Sequence, residues 1–246
     1  MSNHIVETYD EDLRELHLLI AHMGKDVSSA LETTCNDLVK GDKGSADDII
    51  EHDKDINAQE LNIDQKAQKL LALRAPMASD LRVVLTSIQV AGNLERVGDL
   101  TKNIAKINRK MGMSLPANIA NLVEKMSSLA LTILKVSISA YNNKDEAQTQ
   151  RIFDDDVTLD KQYKELSKAI LRELKRDEDH LEDLAHLLFV TRHLERIGDH
   201  AKNIAEATIY MCSGEMNRFD SLEVVRIFKF TNAICWQFQG CPMSLS

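Results

Sequence analysis

The sequence predicts an all-α protein: two tandem three-helix bundles related by internal pseudo-symmetry. Three observations carry this expectation. LERVGDLTKNIA at Leu94–Ala105 returns as LERIGDHAKNIA at Leu194–Ala205, identical at nine of twelve positions and offset by 100 residues in a chain of 246. A match of that length reads as a duplicated structural unit. Three Pro, nine Gly and 4% aromatic residues leave little turn chemistry for a many-stranded sheet. Long stretches between the few breakers carry apolar residues at the three-to-four spacing of a helix.

Each element follows from local signals. Residues 1–8 read as a frayed lead. From Tyr9 to Lys40, Leu13, Leu16, Ile20, Met23, Val27, Leu31 and Leu38 form one apolar stripe, and Gly41 and Gly44 end it. Ser45 is placed to cap a second helix running to Leu73, with Asp47 and Asp48 in the first turn, where the dipole favours acids. Arg74-Ala75-Pro76 breaks it. A third helix runs from Met77 to Lys110, and Gly112 and Pro116 separate the halves. The plan then repeats over 116–142, 145–176 and 180–213, with Asn142-Asn143 as a turn. Asp53-x-x-Ile56-Asn57 matches Asp156-x-x-Leu159-Asp160 at an offset of 103, which predicts a shorter connection from second to third helix in the second half. The expected domains are 1–112, 113–214 and an atypical tail, 215–246. That tail holds the only Trp and two of the four Cys, and it resembles nothing in the first half.

The repeated segment displays a chemical face. Residues four apart lie above one another on a helix, so Glu95, Asp99 and Asn103 form a column of oxygen donors, with Glu195, Asp199 and Asn203 as its twin. The column continues an apolar stripe: Leu81, Val84, Ile88 and Ala91 in one copy, Leu181, Leu184, Leu188 and Thr191 in the other. An acid on a core-facing stripe needs a partner, because an unpaired buried carboxylate is very costly. The partners on offer are bound cations or Arg96, Lys102, Arg196 and Lys202. Gly98 and Gly198 sit beside the acids, and mid-helix Gly costs about 1 kcal/mol relative to Ala. Accepting that cost twice implies close approach by another helix or an ion. In an antiparallel bundle Asp53, Asn57, Asp156 and Asp160 lie opposite these columns, although acids near a helix start also serve the dipole.

Other chemistries are excluded or set aside. A net charge of −9 is the wrong sign for general nucleic-acid binding. Cys35, Cys212, Cys235 and Cys241 show neither C-x-x-C nor zinc-finger spacing and read as reduced thiols of a cytoplasmic protein. The N-terminus begins polar and acidic, unlike a signal peptide, and no run of about 18 apolar residues occurs. His186, His193 and His200 recur every seven residues, on a stripe about 140–180° from Glu195, which suits a surface or interface row. The third helices lack the E-x-x-H of di-iron bundles. Phosphate-binding loop and serine-hydrolase motifs are missing.

With LERVGD, LERIGD and LRAPMASDLR at Leu73–Arg82 in this order, the chain resembles the PhoU family over about residues 5–218. The resemblance implies a six-helix bundle, often a homodimer, that regulates phosphate uptake without catalysing a reaction. It further implies an adaptor between the ATPase of a phosphate ABC transporter and a sensor histidine kinase, repressing phosphate-starvation signalling when phosphate is sufficient. The resemblance also implies that it reaches the membrane only through those partners and binds no nucleic acid directly. Family membership implies iron or zinc clusters held by E(D)-x-x-x-D motifs, here Glu95, Asp99, Glu195 and Asp199. Asp53, Asp156 and Asp160 match the second-helix acids. Asn57 stands where the other half has Asp160, which weakens the first site. Carboxylate and amide oxygens also accept magnesium, manganese or calcium. Two rivals remain: a metal store or metal enzyme using the same acids, and a metal-free adaptor whose acids are salt-bridged to Lys102 and Lys202.

Overall fold

The computed structural model describes residues 2–176 and 179–214, with side chains described from Asp10 onward. The expected atypical tail, with Cys235 and Cys241, lies outside the described residues. Six helices follow in order: α1 Ser2–Lys40, α2 Ala46–Arg74, α3 Ser79–Lys110, α4 Ala117–Asn143, α5 Thr149–Glu173 and α6 Leu181–Ser213. A 3-10 turn, Glu146–Gln148, leads into α5. The architecture is all-α, as expected. Among the described residues no helix is long and apolar enough to cross a membrane.

The helices that carry the repeated segment, α3 and α6, pack on each other most extensively. Flanking them are α2 against α3 and α5 against α6, while α1 and α4 cover the remaining faces and touch each other. The core is aliphatic, as the composition requires: Leu16, Ile20, Met23, Val27 and Leu31 of α1 are fully buried, as are Leu94, Val97 and Ile104 of α3 and Leu194, Ile197 and Ile204 of α6. Burying a side chain of that size stabilises the fold by about 1.5–3 kcal/mol. The one large aromatic in the core among the described residues, Tyr141, shares a 2.8 Å hydrogen bond between its hydroxyl and Ser87 Oγ and stacks on His17 at 5.3 Å. A buried phenol needs such a partner.

Several local expectations are corrected. α1 starts at Ser2 rather than Tyr9; no Gly or Pro in 2–8 stops the helix. Ser45 does not cap α2: its backbone is helical, and its hydroxyl bonds the Asp37 carboxylate instead. The α3 start moves from Met77 to Ser79, because Ala75 and Ala78, on either side of Pro76-Met77, take positive φ of 44° and 48° to turn the corner. At the α4 C-terminus Lys144, not an asparagine, takes the left-handed position. The second-to-third connection is not shorter in the second half: it spans 174–180, against 75–78 in the first, and the missing residues come out of the helices themselves. Leu181, the first residue of the predicted stripe, is exposed.

Side chains tie the junction between halves. Asp183 on the first turn of α6 accepts the backbone N–H of Gly112 at 2.9 Å and of Met113 at 2.8 Å. Arg82, at the start of α3, donates from Nε to the Met211 carbonyl at the end of α6, at 3.4 Å. It thereby serves the unpaired carbonyls of a helix C-terminus.

The two repeated glycines are explained by helix approach. A Cβ on Gly98 would stand 3.2 Å from Ile56 Cγ2, and one on Gly198 would overlap Leu159 Cδ2. Ile56 and Leu159 are the apolar residues inside the two matching second-helix motifs, so each motif docks its middle residue on the glycine of its own half. Gly198→Ala should therefore destabilise by about 1–3 kcal/mol, the usual overpacking cost. Gly98→Ala should stay within about 1 kcal/mol of the parent, because helix propensity offsets a milder contact. Urea unfolding of both variants measures the difference.

Candidate functional site

The glycine contacts set the register of the acids. α2 runs antiparallel to α3, so with Ile56 seated on Gly98, Asp53 falls beside Asp99 and Lys102, and Glu60 falls beside Glu95. The α5–α6 seam repeats this arrangement: Leu159 sits on Gly198, Asp156 beside Asp199 and Lys202, and Asp160 beside Glu195. The sequence-predicted residues are thus gathered into two clusters, one on each seam. Glu60 belongs to the first cluster, although the sequence reading did not include it. It lies one turn beyond Asn57 on the face that begins at Asp53, so following that face further would have found it. Tyr163 occupies the matching place in the second half.

In the first cluster, Lys102 Nζ donates to Asp53 Oδ2 at 2.6 Å and to Asp99 Oδ1 at 2.5 Å, bridging α2 and α3. Asp53 is buried, and its second oxygen, Oδ1, has no hydrogen-bond partner. Asn57 is exposed and donates weakly to Asp53 Oδ2 at 3.4 Å. Glu95 lies 3.4 Å from Arg96 Nε. Burial pushes its carboxyl above the usual range; Arg96 opposes this, and the charges of Asp99, Glu60 and Asp53 reinforce it. Burial alone would lower the Lys102 ammonium, but its bonds to Asp53 and Asp99 hold it above the ordinary lysine value.

In the second cluster, Glu195 accepts a hydrogen bond from Arg192 on Oε1, while Oε2 is buried without a partner. Burial and the neighbouring Asp199 raise its carboxyl, with Arg192 opposing and Asp160 adding to the rise. Asp199, more exposed, is also raised, by partial desolvation and by Asp156, against the pull of Arg192 and Lys202. Lys202 reaches Asp156 Oδ2 at 3.2 Å. Like charges held this close disfavour the ionised form of each.

One predicted column member behaves differently. Asn203 turns away to donate to Asn93 Oδ1 of α3 at 3.3 Å. Each step of four residues rotates by about 40°, so two steps from Glu195 carry Asn203 onto the α3 side. His200 meets the same Asn93 oxygen at 3.0 Å, and the Nδ1 atoms of His186 and His193 are buried. The histidine row therefore belongs partly to the α3–α6 interface. Gly98 and Gly198 admit a helix, not an ion.

The donor set fits a hard cation in its chemistry: carboxylates from two helices, mutual repulsion among them, and buried oxygens left without partners. Among the described residues, however, no three His, Cys, Asp or Glu side chains converge as they would around a metal. In the first cluster the space between Asp53 and Asp99 holds the Lys102 ammonium.

Fold and site together define a duplicated six-helix bundle with an acid cluster on the inner seam of each half. The family model described as PhoU domain matches residues 20–107 and again 123–208. The phosphate-specific transport system accessory protein PhoU homolog of Rhizobium meliloti is 36% identical over 212 residues, 86% of this chain and 90% of that one. The protein of the same name from Xylella fastidiosa strain Temecula1 is 34% identical over 214 residues, 87% of this chain and 89% of that one. The crystal structure of PhoU from Pseudomonas aeruginosa superposes with a TM-score of 0.80 at 28% identity, covering 84% of this chain and all of that one. The phosphate transport system regulatory protein PhoU from Streptococcus pneumoniae gives 0.78 at 30% identity, covering 85% and 98%. This chain belongs to the PhoU family.

The raised carboxyls carry a stability consequence. A carboxyl whose folded value exceeds its unfolded one contributes stability that is fully present below the unfolded value, 4.5 for Glu195, and lost as pH rises through the folded value. Metal-free protein should thus lose stability from about pH 4.5 upward through these groups. Glu195→Gln should raise the melting temperature of the metal-free protein at pH 7, because it removes the carboxyl that burial and Asp199 make costly to ionise. The gain should vanish near pH 4. Thermal unfolding with chelator present, across pH, reads both outcomes.

Proposed function

We propose that this chain is a non-enzymatic accessory regulator of phosphate transport whose acid clusters bind metal ions. The observation that carries the metal reading is the pair of buried, partnerless carboxylate oxygens, Asp53 Oδ1 and Glu195 Oε2, one in each cluster. Their neighbours Glu95, Asp99, Asp156, Asp160 and Asp199 supply further oxygens, and Asn57 supplies an amide oxygen. The ions first in view are iron or zinc; oxygen donors also accept magnesium, manganese and calcium. A bound cation would neutralise the clusters and supply charge at the helix seams. The protein's part is to hold α2 against α3 and α5 against α6, so that donors from two helices face one another.

In this reading the body is an adaptor, working as a homodimer in the cytoplasm. It joins the ATPase of a phosphate ABC transporter to a sensor histidine kinase and represses phosphate-starvation signalling when phosphate is sufficient. The relatives' names support the transporter link, since they are called accessory proteins of the phosphate-specific transport system. A second reading, a metal-independent adaptor, is favoured by the Lys102 bridge at 2.6 and 2.5 Å.

Elemental analysis of freshly purified protein and pull-down of the kinase and the ATPase separate the two. Glu95→Ala/Glu195→Ala should lose at least half of the bound metal and weaken capture of the partners. Metal content and capture both equal to the parent's would reject the metal reading and leave the lysine-bridged adaptor.

A further inference from the structure

α5 is an edge helix: among the described residues it packs on α4, α6 and the 3-10 turn before it, and its far side faces outward. On that side Val157, Lys161, Lys164, Lys168 and Leu171 recur at steps of four and three, form one stripe and are all exposed. Arg172 borders the stripe and Lys175 continues it in the turn after the helix; both are exposed. From Val157 to Leu171 the stripe is about 21 Å long. It contains no acid, and Asp154, Asp160 and Glu165 stand about 60–80° to its sides. Lys161, Lys164, Lys168, Arg172 and Lys175 form no ion pair among the described residues. The duplication supplies a comparison. At the offset that puts Leu159 in the place of Ile56, the same outward stripe on α2 is Lys54, Ala58, Leu61, Gln65, Gln68 and Ala72, all exposed. Its one lysine, Lys54, is paired with Glu51 at 2.8 Å. Both helices keep their inner docking residue, but only α5 has gathered unpaired cations outside, in a chain whose net charge is −9.

We propose that the outer stripe of α5 is a membrane-contact surface, which lays the protein on an anionic phospholipid bilayer with its lysines on headgroup phosphates. This goes beyond the accessory-regulator reading and does not depend on bound metal: it gives the chain a lipid contact of its own. Charge complementarity carries the argument. Each lysine held near an anionic surface strengthens binding about fivefold. Lysine suits the task, because its long apolar stem lies along the interface while the ammonium stays with the phosphates. Val157 and Leu171, 54% and 49% exposed, add apolar area at the two ends of the row. Acids on the more distant helices stand at least a helix diameter away, about 10 Å, and are screened at physiological salt. A protein partner fits the stripe less well, since protein interfaces are depleted in lysine and are anchored by aromatic residues and arginine. The contact is reversible and salt-sensitive, because it is built from screened charges with little apolar surface.

The test is co-sedimentation of the full chain with vesicles of phosphatidylcholine alone and of phosphatidylcholine with one-third phosphatidylglycerol. At low salt the parent should bind the anionic vesicles at least tenfold more tightly than the neutral ones. It should be released toward about 1 M salt, where the screening length falls to about 3 Å. Lys161→Gln/Lys164→Gln/Lys168→Gln should weaken binding thirtyfold or more, and Lys161→Arg/Lys164→Arg/Lys168→Arg, which keeps the charge, should bind as the parent does. Lys40→Gln/Lys54→Gln/Lys125→Gln removes the same charge elsewhere on the surface and should stay within threefold of the parent. Circular dichroism should show unchanged helix content and melting in all three variants, since every substituted position is exposed. The inference is overturned if the parent ignores anionic vesicles at low salt, if the α5 glutamine variant binds as the parent does, or if the control variant loses as much. Loss of transporter ATPase capture by the α5 glutamine variant, with no vesicle binding by the parent, would make the stripe a protein-docking surface and overturn the membrane contact while the adaptor reading stands.

Discussion

The structure depends on one juxtaposition: carboxylates turned into the seam between two closely approaching helices. Gly98 and Gly198 allow the approach, and Ile56 and Leu159 fill the space a Cβ would take. Once those residues are seated, the acids on either side have little freedom. Water is partly excluded, like charges are neighbours, and each extra carboxylate raises the cost of ionising the next. Such a seam persists only if positive charge is brought into it. Arg96, Lys102, Arg192 and Lys202 supply part of that charge, and two buried oxygens still lack a partner.

This constraint links fold to function. Each acid cluster lies across two helices, so whatever neutralises it also joins those helices. α3 and α6 carry the clusters on one side and pack on each other on another, through a polar contact of His200 and Asn203 with Asn93. A change of charge in either cluster therefore acts on the helices that form the central pair. The junction bonds from Asp183 to Gly112 and Met113, and from Arg82 to the end of α6, couple the halves at a further place. A regulator needs elements whose relative placement responds to a bound species, and here those elements and the responsive charges share residues.

The two halves illustrate how a duplication diverges while keeping its frame. The apolar docking residue and its glycine are retained in both. Around them Asn57 stands opposite Asp160 in the alignment, and Glu60 opposite Tyr163. The formal donor sets remain comparable, yet the lysine environments do not. The Asn57/Asp160 change alters charge at exposed positions, which tolerate substitution far better than the core does, whereas Tyr163 also packs against the core where Glu60 carries charge.

Much of this was legible in the sequence. The period of apolar residues located all six helices, since a helix buries one stripe and the stripe repeats in the chain. The duplicated segment singled out Glu95, Asp99, Glu195 and Asp199, and the offset match singled out the facing Asp53 and Asp156. Local sequence misjudged the ends: Ser45 bonds Asp37 rather than its own helix, and Lys144 rather than an asparagine takes the left-handed turn, because tertiary partners outweigh capping preferences of about 1 kcal/mol. Three things were decided only by tertiary structure: that a helix rather than an ion occupies the space beside each glycine, that Glu60 joins the first cluster, and that Lys102 bridges two carboxylates where Lys202 holds one. Spacing along a single helix fixes which side chains share its face. It cannot say which side chains of another helix stand opposite, at what distance, or with how much water between them, and those quantities set the energy of a buried charge.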